Sequence, residues 1–196
     1  EYIYTATMHN TMLFFTQRGK CYWLKAYEIP EGNKNSKGRA IQNMLNIDAD
    51  DAVNAFVRVT TLADKNFIES HNIVFCTKNG IIKKTSLEQY SRPRTNGIIA
   101  ITIREDDKVI SVALTDGDSD IILANRGGKA VRFNENTVRA MGRTATGVKG
   151  MDIADDDEVV GMVVLPKNDD AEHSLLVLSE QGYGKRSATD DYPTVG

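Results

Sequence analysis

The sequence predicts an all-β protein, built as a propeller-like ring of four-stranded blades with roughly 50 residues per repeat. Three observations lead to this prediction. Short runs rich in Val, Ile and Thr alternate with glycine-centred turns, a glycine-marked frame recurs four times, and an acidic turn follows in a fixed order in the first three units. The chain holds three full units and the first half of a fourth, so we expect an incomplete ring.

The first strand of each unit is an apolar run that ends four residues before a glycine. A run that is apolar at every position suits a strand buried on both faces. The runs cover residues 12–15, 73–76, 121–124 and 175–178, and the glycines are Gly19, Gly80, Gly128 and Gly182, spaced 61, 48 and 54 residues apart. A small polar residue stands three positions before each glycine, as Thr16, Thr77, Asn125 and Ser179.

Three more strands complete each unit. A second strand such as 81–85 follows the first glycine, and a polar loop leads to a third strand such as 97–103 that begins at a second glycine. An acidic turn precedes the fourth strand, such as 109–114. The second glycines are Gly38, Gly97 and Gly147, and the acidic turns contain Asp51, Asp107 and Asp157. We expect units at about 1–60, 61–116, 117–166 and 167–196, the last truncated.

Charge is separated along the chain, although the formal net charge is only −3. The windows 18–39, 78–104 and 126–150 together hold 18 Lys and Arg against 4 acidic residues, and the other 122 residues hold 6 cations and 23 acids. Because the basic windows occupy the same part of each unit, a ring would align them along one edge. A periodic cationic rim suits duplex DNA, whose affinity comes mainly from counterion release with little sequence preference.

No catalytic or metal-binding set stands out. His71 and His173 both lie nine residues before their glycine, which favours a structural role over converging metal ligands. The acidic turns lack the alternating carboxylates of a calcium loop, so we expect them to cap turns or solvate an edge. The stretch 125–133, NRGGKAVRF, lacks the Lys-Ser/Thr of a phosphate loop. No nucleophile–base set is visible, so we expect no catalytic residue and no bound cofactor in this fragment.

Cys21 and Cys76 lie in apolar runs, which predicts buried free thiols in a reducing, cytoplasmic protein. The apolar runs are far shorter than a membrane span. The chain opens on a strand-like stretch without a signal peptide or an initiator Met, so we expect it to be part of a longer protein.

Four multi-residue strings resemble the family of C-terminal domains found in the A protein of DNA gyrase, and the resemblance runs over essentially the whole chain. The strings are SKGRAIQNML (36–45), NGIIKKTSLEQYSRPRTNG (79–97), RAMGRTATGVKG (139–150) and EQGYGKRSATDDYP (180–193). The element GYGKR followed by YPT favours gyrase over the related topoisomerase IV. The family's basic glycine-rich box is not present in full, which leaves open whether this fragment alone wraps DNA completely.

The resemblance implies a β-pinwheel, a propeller-like ring whose blades exchange strands with their neighbours. It implies sequence-independent wrapping of duplex DNA around a basic outer rim, which presents a segment for ATP-dependent strand passage and negative supercoiling in bacterial cytoplasm. It also implies an A2B2 complex with the rest of the gyrase A protein and with the gyrase B protein. The tyrosine nucleophile, and the use of ATP and Mg, would then lie in other domains.

The resemblance and the repeat frame together give candidate DNA-binding residues in all four units. They are Lys37 and Arg39; Lys83, Lys84, Arg92 and Arg94; Arg126, Lys129, Arg132, Arg139, Arg143 and Lys149; and Lys185 and Arg186. The position four residues after the first glycine is cationic in three units, as Lys84, Arg132 and Arg186, whereas unit one has Trp23. We expect Lys83 and Lys84 to be exposed at a strand edge, so that replacing both by Glu weakens DNA binding and leaves the fold intact.

Three alternatives remain open at this point. The chain could be the corresponding domain of topoisomerase IV. It could be a propeller that serves as a protein-interaction platform, with its basic rim on an acidic partner. A propeller enzyme with a site in a central channel would need converging polar groups near the axis, where the apolar first strands offer few.

Overall fold

The described residues form four small β-sheets, each built around a hairpin with a glycine turn. The structure is a computed structural model and describes residues 3–167 and 173–195. The strands are β1 (Thr11–Thr16), β2 (Lys20–Lys25), β3 (Val53–Val59), β4 (Asn72–Thr77), β5 (Ile81–Ser86), β6 (Ile98–Ile99), β7 (Val109–Thr115), β8 (Asp120–Asn125), β9 (Ala130–Asn134), β10 (Val148–Lys149), β11 (Val159–Leu165), β12 (Ser174–Leu178), β13 (Gly184–Ala188) and β14 (Thr194–Val195). Helix α1 covers Lys65–Ser70, and 3-10 helices cover Ala26–Glu28, Ile41–Asn43, Leu87–Tyr90, Glu135–Thr137 and Thr189–Asp191.

Each of the three four-stranded sheets takes its outermost strand from the unit that follows in the chain. The strand orders are β3-β1-β2-β6, β7-β4-β5-β10 and β11-β8-β9-β14, and β12 pairs with β13 in a two-stranded sheet. Thus β6 of the second unit closes the first sheet, and β10 of the third unit closes the second. The predicted all-β fold with four-stranded blades is confirmed, and so is the strand exchange that the resemblance implied.

The third strands of units two and three are much shorter than predicted, and the third strand predicted after Gly38 in unit one is absent from the described residues, since Ile41–Asn43 there form a 3-10 helix. A strand was predicted over 97–103, but β6 is two residues long and pairs with Lys20 and Cys21 of the preceding sheet. The chain then bends inward, because the N–H groups of Ala100 and Ile101 both donate to the Gly19 carbonyl, at 2.7 and 3.2 Å. One carbonyl therefore ends the ladder and turns Ala100 and Ile101 into the core.

The hydrophobic core lies between neighbouring sheets. Strands β1, β4 and β8 run through the middle of their sheets and are buried on both faces, as predicted. Phe15 and Phe75 meet edge to face between the first two sheets, with ring centroids 5.2 Å apart, and Tyr90 packs against both. The fourth strands, not the first, pack side by side from blade to blade, as β3 does with β7 and β7 with β11.

The fourth unit departs from the predicted burial. Its apolar run was predicted to be buried on both faces, but Leu176 and Leu178 are 60% and 67% exposed. Among the described residues β12 has only β13 as a partner. Without a second flanking strand or a facing sheet, an apolar sequence cannot bury itself. Within the described ranges, no helix is long and apolar enough to cross a membrane.

Side chains of the repeat markers hold the hairpin turns. The polar residue three positions before each first glycine accepts a hydrogen bond from the N–H that follows the glycine; Thr77 Oγ1 accepts from Ile81 at 3.2 Å. The acidic turn caps the same hairpin, since Asp107 Oδ1 accepts from Asn79 N–H at 3.0 Å. Asp51 and Asp157 bond in the same way to Arg18 and Gly127. The expectation that these aspartates cap turns is confirmed.

Candidate nucleic-acid interface

Two crossover loops, residues 87–97 and 135–147, carry the basic residues to the outer edges of the sheets. Each loop leaves the second strand of its own sheet through a 3-10 helix, Leu87–Tyr90 or Glu135–Thr137, and reaches the outer edge of the preceding sheet. The loops are short on acidic residues and end in a second glycine.

The crossover loops present arginines to solvent. Arg92, Arg94 and Arg139 are exposed, and none of the three has an ion-pair partner among the described residues. Arg143 is half-buried, with its backbone N–H donating to Gln89 Oε1 at 2.9 Å. Free guanidinium groups in water keep all their donors for phosphate oxygens, and Arg matches that geometry with two parallel N–H groups.

Five more candidates are exposed at turns and in the unit-one loop. Lys37 and Arg39 lie in a stretch without regular secondary structure. Lys129 is free of ion pairs within the described ranges, whereas Arg126 binds Glu158 Oε1 at 2.5 Å and Lys149 binds Asp152. The two paired side chains are therefore already neutralised locally.

Lys185 and Arg186 lie on β13 of the two-stranded sheet, and both side chains are exposed. Like Lys83 and Lys84, they stand three and four residues after the first glycine of their unit. The pair on β13 is exposed, whereas Lys83 and Lys84 are buried.

The prediction that Lys83 is exposed at a strand edge is wrong, because its side chain is fully buried at 0% exposure. Its ammonium donates to the Ala100 carbonyl at 2.6 Å and to the Arg143 carbonyl, and lies 5.2 Å from the Phe75 ring centroid. Burial, with the Arg143 charge adding to it, lowers the pKa of Lys83 to about 7. In this position the ammonium cannot reach a phosphate.

Lys84 is buried as well, at 7% exposure, so the prediction that the pair is exposed is wrong for both. Its ammonium donates to the Glu135 carbonyl at 2.7 Å and lies 3.8 Å from Glu135 Oε2. The Lys84 carbonyl accepts from Met141 N–H at 2.8 Å. Strand β5 is not an edge, because crossover loop 135–147 and β10 cover it.

The guanidinium group of Arg132 also donates its hydrogen bonds to groups within the protein. Its Nε and Nη2 both lie 2.9 Å from Asp120 Oδ2, and its Nη1 donates to the Thr189 carbonyl at 2.8 Å and to that of Tyr192 at 3.3 Å. Burial raises the pKa of Asp120, but the hydrogen bonds from Asn134 and Arg132 outweigh it and hold that pKa below its usual range. Arg132 thus joins the third sheet to the fourth unit.

Glu135 is a functional-site residue that the sequence analysis missed. It is fully buried, and Oε1 accepts from the N–H groups of Gly117 and Ser119 at 3.0 and 2.9 Å. Its Oε2 accepts from Thr115 Oγ1 at 2.8 Å. It is the sole acid in the third basic window, but the exposed Glu88 is the sole acid in the second, so no sequence signal singled Glu135 out. Its buried carboxylate lies 3.8 Å from the Lys84 ammonium and compensates that buried cation.

The two cysteines are held away from reactive chemistry. Cys21 and Cys76 are buried free thiols, as predicted, and burial raises the pKa of Cys76 to about 12, so its reactive thiolate is disfavoured. Within residues 3–167 and 173–195, no group of three or more His, Cys, Asp or Glu side chains is placed to hold a metal ion.

Comparison with known proteins gives one consistent family. The family described as "DNA gyrase C-terminal domain, beta-propeller" matches residues 10–60, 71–116, 119–166 and 173–196. The DNA gyrase A protein of Salmonella typhimurium is 42% identical over 189 residues, which is 96% of this chain and 20% of that protein. The gyrase A protein of Staphylococcus aureus (strain NCTC 8325) is 42% identical over 188 residues, with the same coverage of each chain.

Two solved structures share the fold. The C-terminal domain of DNA topoisomerase IV superposes with a TM-score of 0.81 at 26% identity, covering 96% of this chain and 56% of that one. A DNA gyrase A C-terminal domain superposes with a TM-score of 0.79 at 24% identity, covering 97% and 58%. The chain spans about a fifth of the length of the curated relatives named above.

Proposed function

The chain belongs to the DNA gyrase C-terminal domain family, and on that premise we propose that it is a non-catalytic domain that binds and bends duplex DNA. The observation that carries the proposal is the placement of three exposed arginines on crossover loops at the outer edges of consecutive sheets. These are Arg92, Arg94 and Arg139, and none of them has an ion-pair partner among the described residues. Lys37, Arg39, Lys129, Lys185 and Arg186 extend this exposed set.

The chemistry of this surface fits a polyanion. Exposed cations near a rim neutralise phosphates and release counterions without reading base edges, so binding is sequence-independent. Cations spread along a curved rim favour a bent duplex, because bending brings more phosphates within reach. The added contacts offset the elastic cost of the bend. Arg143, Arg126 and Lys149 are secondary contacts, since each is half-buried or held in an ion pair.

For the parent protein, we propose a role as the A protein of DNA gyrase. In that role, wrapped DNA is presented for ATP-dependent strand passage and negative supercoiling, in an A2B2 complex with the gyrase B protein in bacterial cytoplasm. The ATP, Mg and tyrosine chemistry then belongs to other domains. The division into units of about 1–60, 61–116, 117–166 and 167–196 is part of the same proposal. Curated relatives at 42% identity favour gyrase over topoisomerase IV.

The deciding experiment measures the affinity of the 196-residue chain for an unrelated set of duplexes as a function of salt. Contact with about six phosphates predicts a log–log slope near −5, similar for every sequence. A slope near zero, or no duplex binding, contradicts the proposal and leaves the interaction-platform alternative.

Variants then test whether the salt dependence of DNA affinity comes from the exposed arginines. The triple variant Arg92→Ala, Arg94→Ala, Arg139→Ala removes three proposed contacts, so the slope should become shallower by about 0.9 for each. Lys65→Ala is the matched control, because Lys65 is an exposed cation on α1, outside the crossover loops. An unchanged slope in the triple variant would remove these arginines from the interface.

A further inference from the structure

In three units, the side chain four residues after the first glycine has a nitrogen that donates a hydrogen bond to a carbonyl of the unit that follows. Trp23 Nε1 donates to the Tyr90 carbonyl at 2.9 Å, and Lys84 Nζ to the Glu135 carbonyl at 2.7 Å. Arg132 Nη1 donates to the carbonyls of Thr189 and Tyr192 at 2.8 and 3.3 Å. Each donor lies four residues after its first glycine, and the acceptors lie seven or ten residues after theirs.

The three donors differ in charge and shape but share an N–H group aimed at a 3-10 helix. An indole is neutral, so the common property of Trp23, Lys84 and Arg132 is hydrogen bonding and not charge. Trp23 and Lys84 are 9% and 7% exposed, and Arg132 is half-buried, so these bonds are largely shielded from water. A shielded carbonyl that loses its donor is left unsatisfied, which gives each bond a structural consequence.

Two of the acceptor helices are where the crossover loops begin. Tyr90 ends the helix Leu87–Tyr90, which leads to Arg92 and Arg94, and Glu135 starts the helix that leads to Arg139. Lys83 holds the second loop further along, through the Arg143 carbonyl, and shares the Ala100 carbonyl with Tyr90 Oη. The lysine pair therefore anchors one crossover loop at two points.

We propose that Trp23, Lys84 and Arg132 are inter-blade latches, positioning residues that fix the crossover loops and the angle between neighbouring blades. This inference rests on the proposed DNA-binding function. The latches touch no phosphate. Their bonds decide where the exposed arginines of consecutive blades stand relative to one another, and so how far a bound duplex is bent.

Trp23→Phe tests the latch without any change of charge. Phenylalanine keeps an aromatic ring in the site and loses only the donor to Tyr90, together with part of the ring volume. Lys84→Met is the second variant, which keeps an unbranched chain without a donor. Lys129→Met is the matched control, since it removes an exposed lysine that makes no latch. Each protein is assayed on a short duplex with a fluorescent dye at each end.

At saturating protein, energy transfer between the duplex ends reports the bend, and titrations at several salt concentrations report the number of phosphate contacts. Trp23→Phe should lose part of the energy-transfer gain seen with the wild type, and its salt slope should become shallower because a straighter duplex brings fewer phosphates within reach. Lys129→Met should keep the bend while its slope becomes shallower by about 0.9. Lys84→Met should follow Trp23→Phe.

The outcomes distinguish failure of the latch inference from failure of the proposed DNA-binding function. If the wild type neither binds nor bends DNA, the proposed function fails. If the wild type bends DNA and the folded Trp23→Phe protein reaches the same bend at saturation, the latch inference is overturned, even where its thermal stability falls. Should Lys84→Met fail to fold, Trp23→Phe alone decides the matter.

Discussion

At the scale of single residues, lysines that follow the first glycines of consecutive units lie in opposite environments. Lys83 and Lys84 are buried donors to backbone carbonyls, whereas Lys129 is exposed in a turn. Burying an ammonium is costly unless its donors are satisfied, and here each buried lysine has a carbonyl within hydrogen-bonding distance. The cost that remains for Lys83 is visible as its lowered pKa.

That pKa predicts a pH dependence of folding. The folded-state pKa of Lys83 is about 7, below its ordinary value of 10.5, so between these two pH values the unfolded chain binds a proton that the folded protein does not. Stability from this group therefore rises with pH across that window and is lost as pH falls through about 7. We expect the free energy of unfolding of the wild type, minus that of Lys83→Met, to increase from about pH 7 to pH 10.

Urea unfolding at a series of pH values measures this difference. Lys129→Met is the control, because it removes a lysine that is exposed in the folded protein, and it should not reproduce the rise expected for Lys83→Met. A flat difference for Lys83→Met would show that Lys83 is protonated in the folded protein throughout the range.

At the scale of elements, the second glycines of units two and three, Gly97 and Gly147, let the outermost strand approach the preceding sheet. Gly147 has a φ of +107°, and a Cβ there would lie 2.6 Å from the Ile82 carbonyl oxygen. It directly precedes β10, which pairs with Ile81 and Ile82 of β5. Only a residue without a side chain permits this backbone contact, so the glycine marker reports strand exchange and not merely a turn.

Gly147→Ala should therefore destabilise the protein by about 1–3 kcal/mol and loosen β10 from β5. Urea unfolding measures the loss, and amide exchange at Lys149 reports the strand. Gly142→Ala, in the same crossover loop, is the control: its Cβ would meet no atom within 4 Å and its φ is not positive. We expect it to stay within about 0.5 kcal/mol of wild type. Equal effects of the two variants would contradict the packing argument.

At the scale of the whole molecule, a residue's exposure depends on whether the next unit covers it. Lys83 and Lys84 lie beneath crossover loop 135–147, and the in-frame pair Lys185 and Arg186 is exposed on β13. Because the third unit closes the second sheet, the lysine pair belongs to an interface between blades and not to the rim.

From sequence alone, replacing Lys83 and Lys84 by Glu was expected to weaken DNA binding and leave the fold intact. Their burial predicts instead that the double substitution disrupts the fold. Lys83→Glu with Lys84→Glu would put two carboxylates against the carbonyls of Arg143 and Glu135, so we expect a loss of more than about 4 kcal/mol of stability. Lys185→Glu with Arg186→Glu is the in-frame control and should leave the unfolding curve unchanged while weakening DNA binding. Thermal unfolding followed by circular dichroism tests both, and a stable Lys83→Glu, Lys84→Glu protein would disprove the account of the buried pair.

Much of this fold is readable from sequence because its signals are local. Hairpins such as the one at Gly80 need a positive φ and a polar cap at Thr77, which lie within four residues of each other. Apolar runs predict buried strands for the same reason. The acidic cap Asp107 lies 28 residues from Asn79, and it was recognised because the same marker recurs in each of the first three units. The candidate interface was predicted only in part: Arg92, Arg94 and Arg139 are exposed as expected of rim residues, and Lys83, Lys84 and Arg132 are not.

By itself the sequence determined the all-β repeat, its turns and the separation of charge, because periodicity and turn chemistry act over a few residues. Only the tertiary structure decided which cations face solvent. Strand exchange lays the crossover loop of one unit over the second strand of the unit before it. Trp23, Lys84 and Arg132 meet carbonyls some 50 to 70 residues away in the chain, and no local pattern marks a donor whose acceptor lies at that distance.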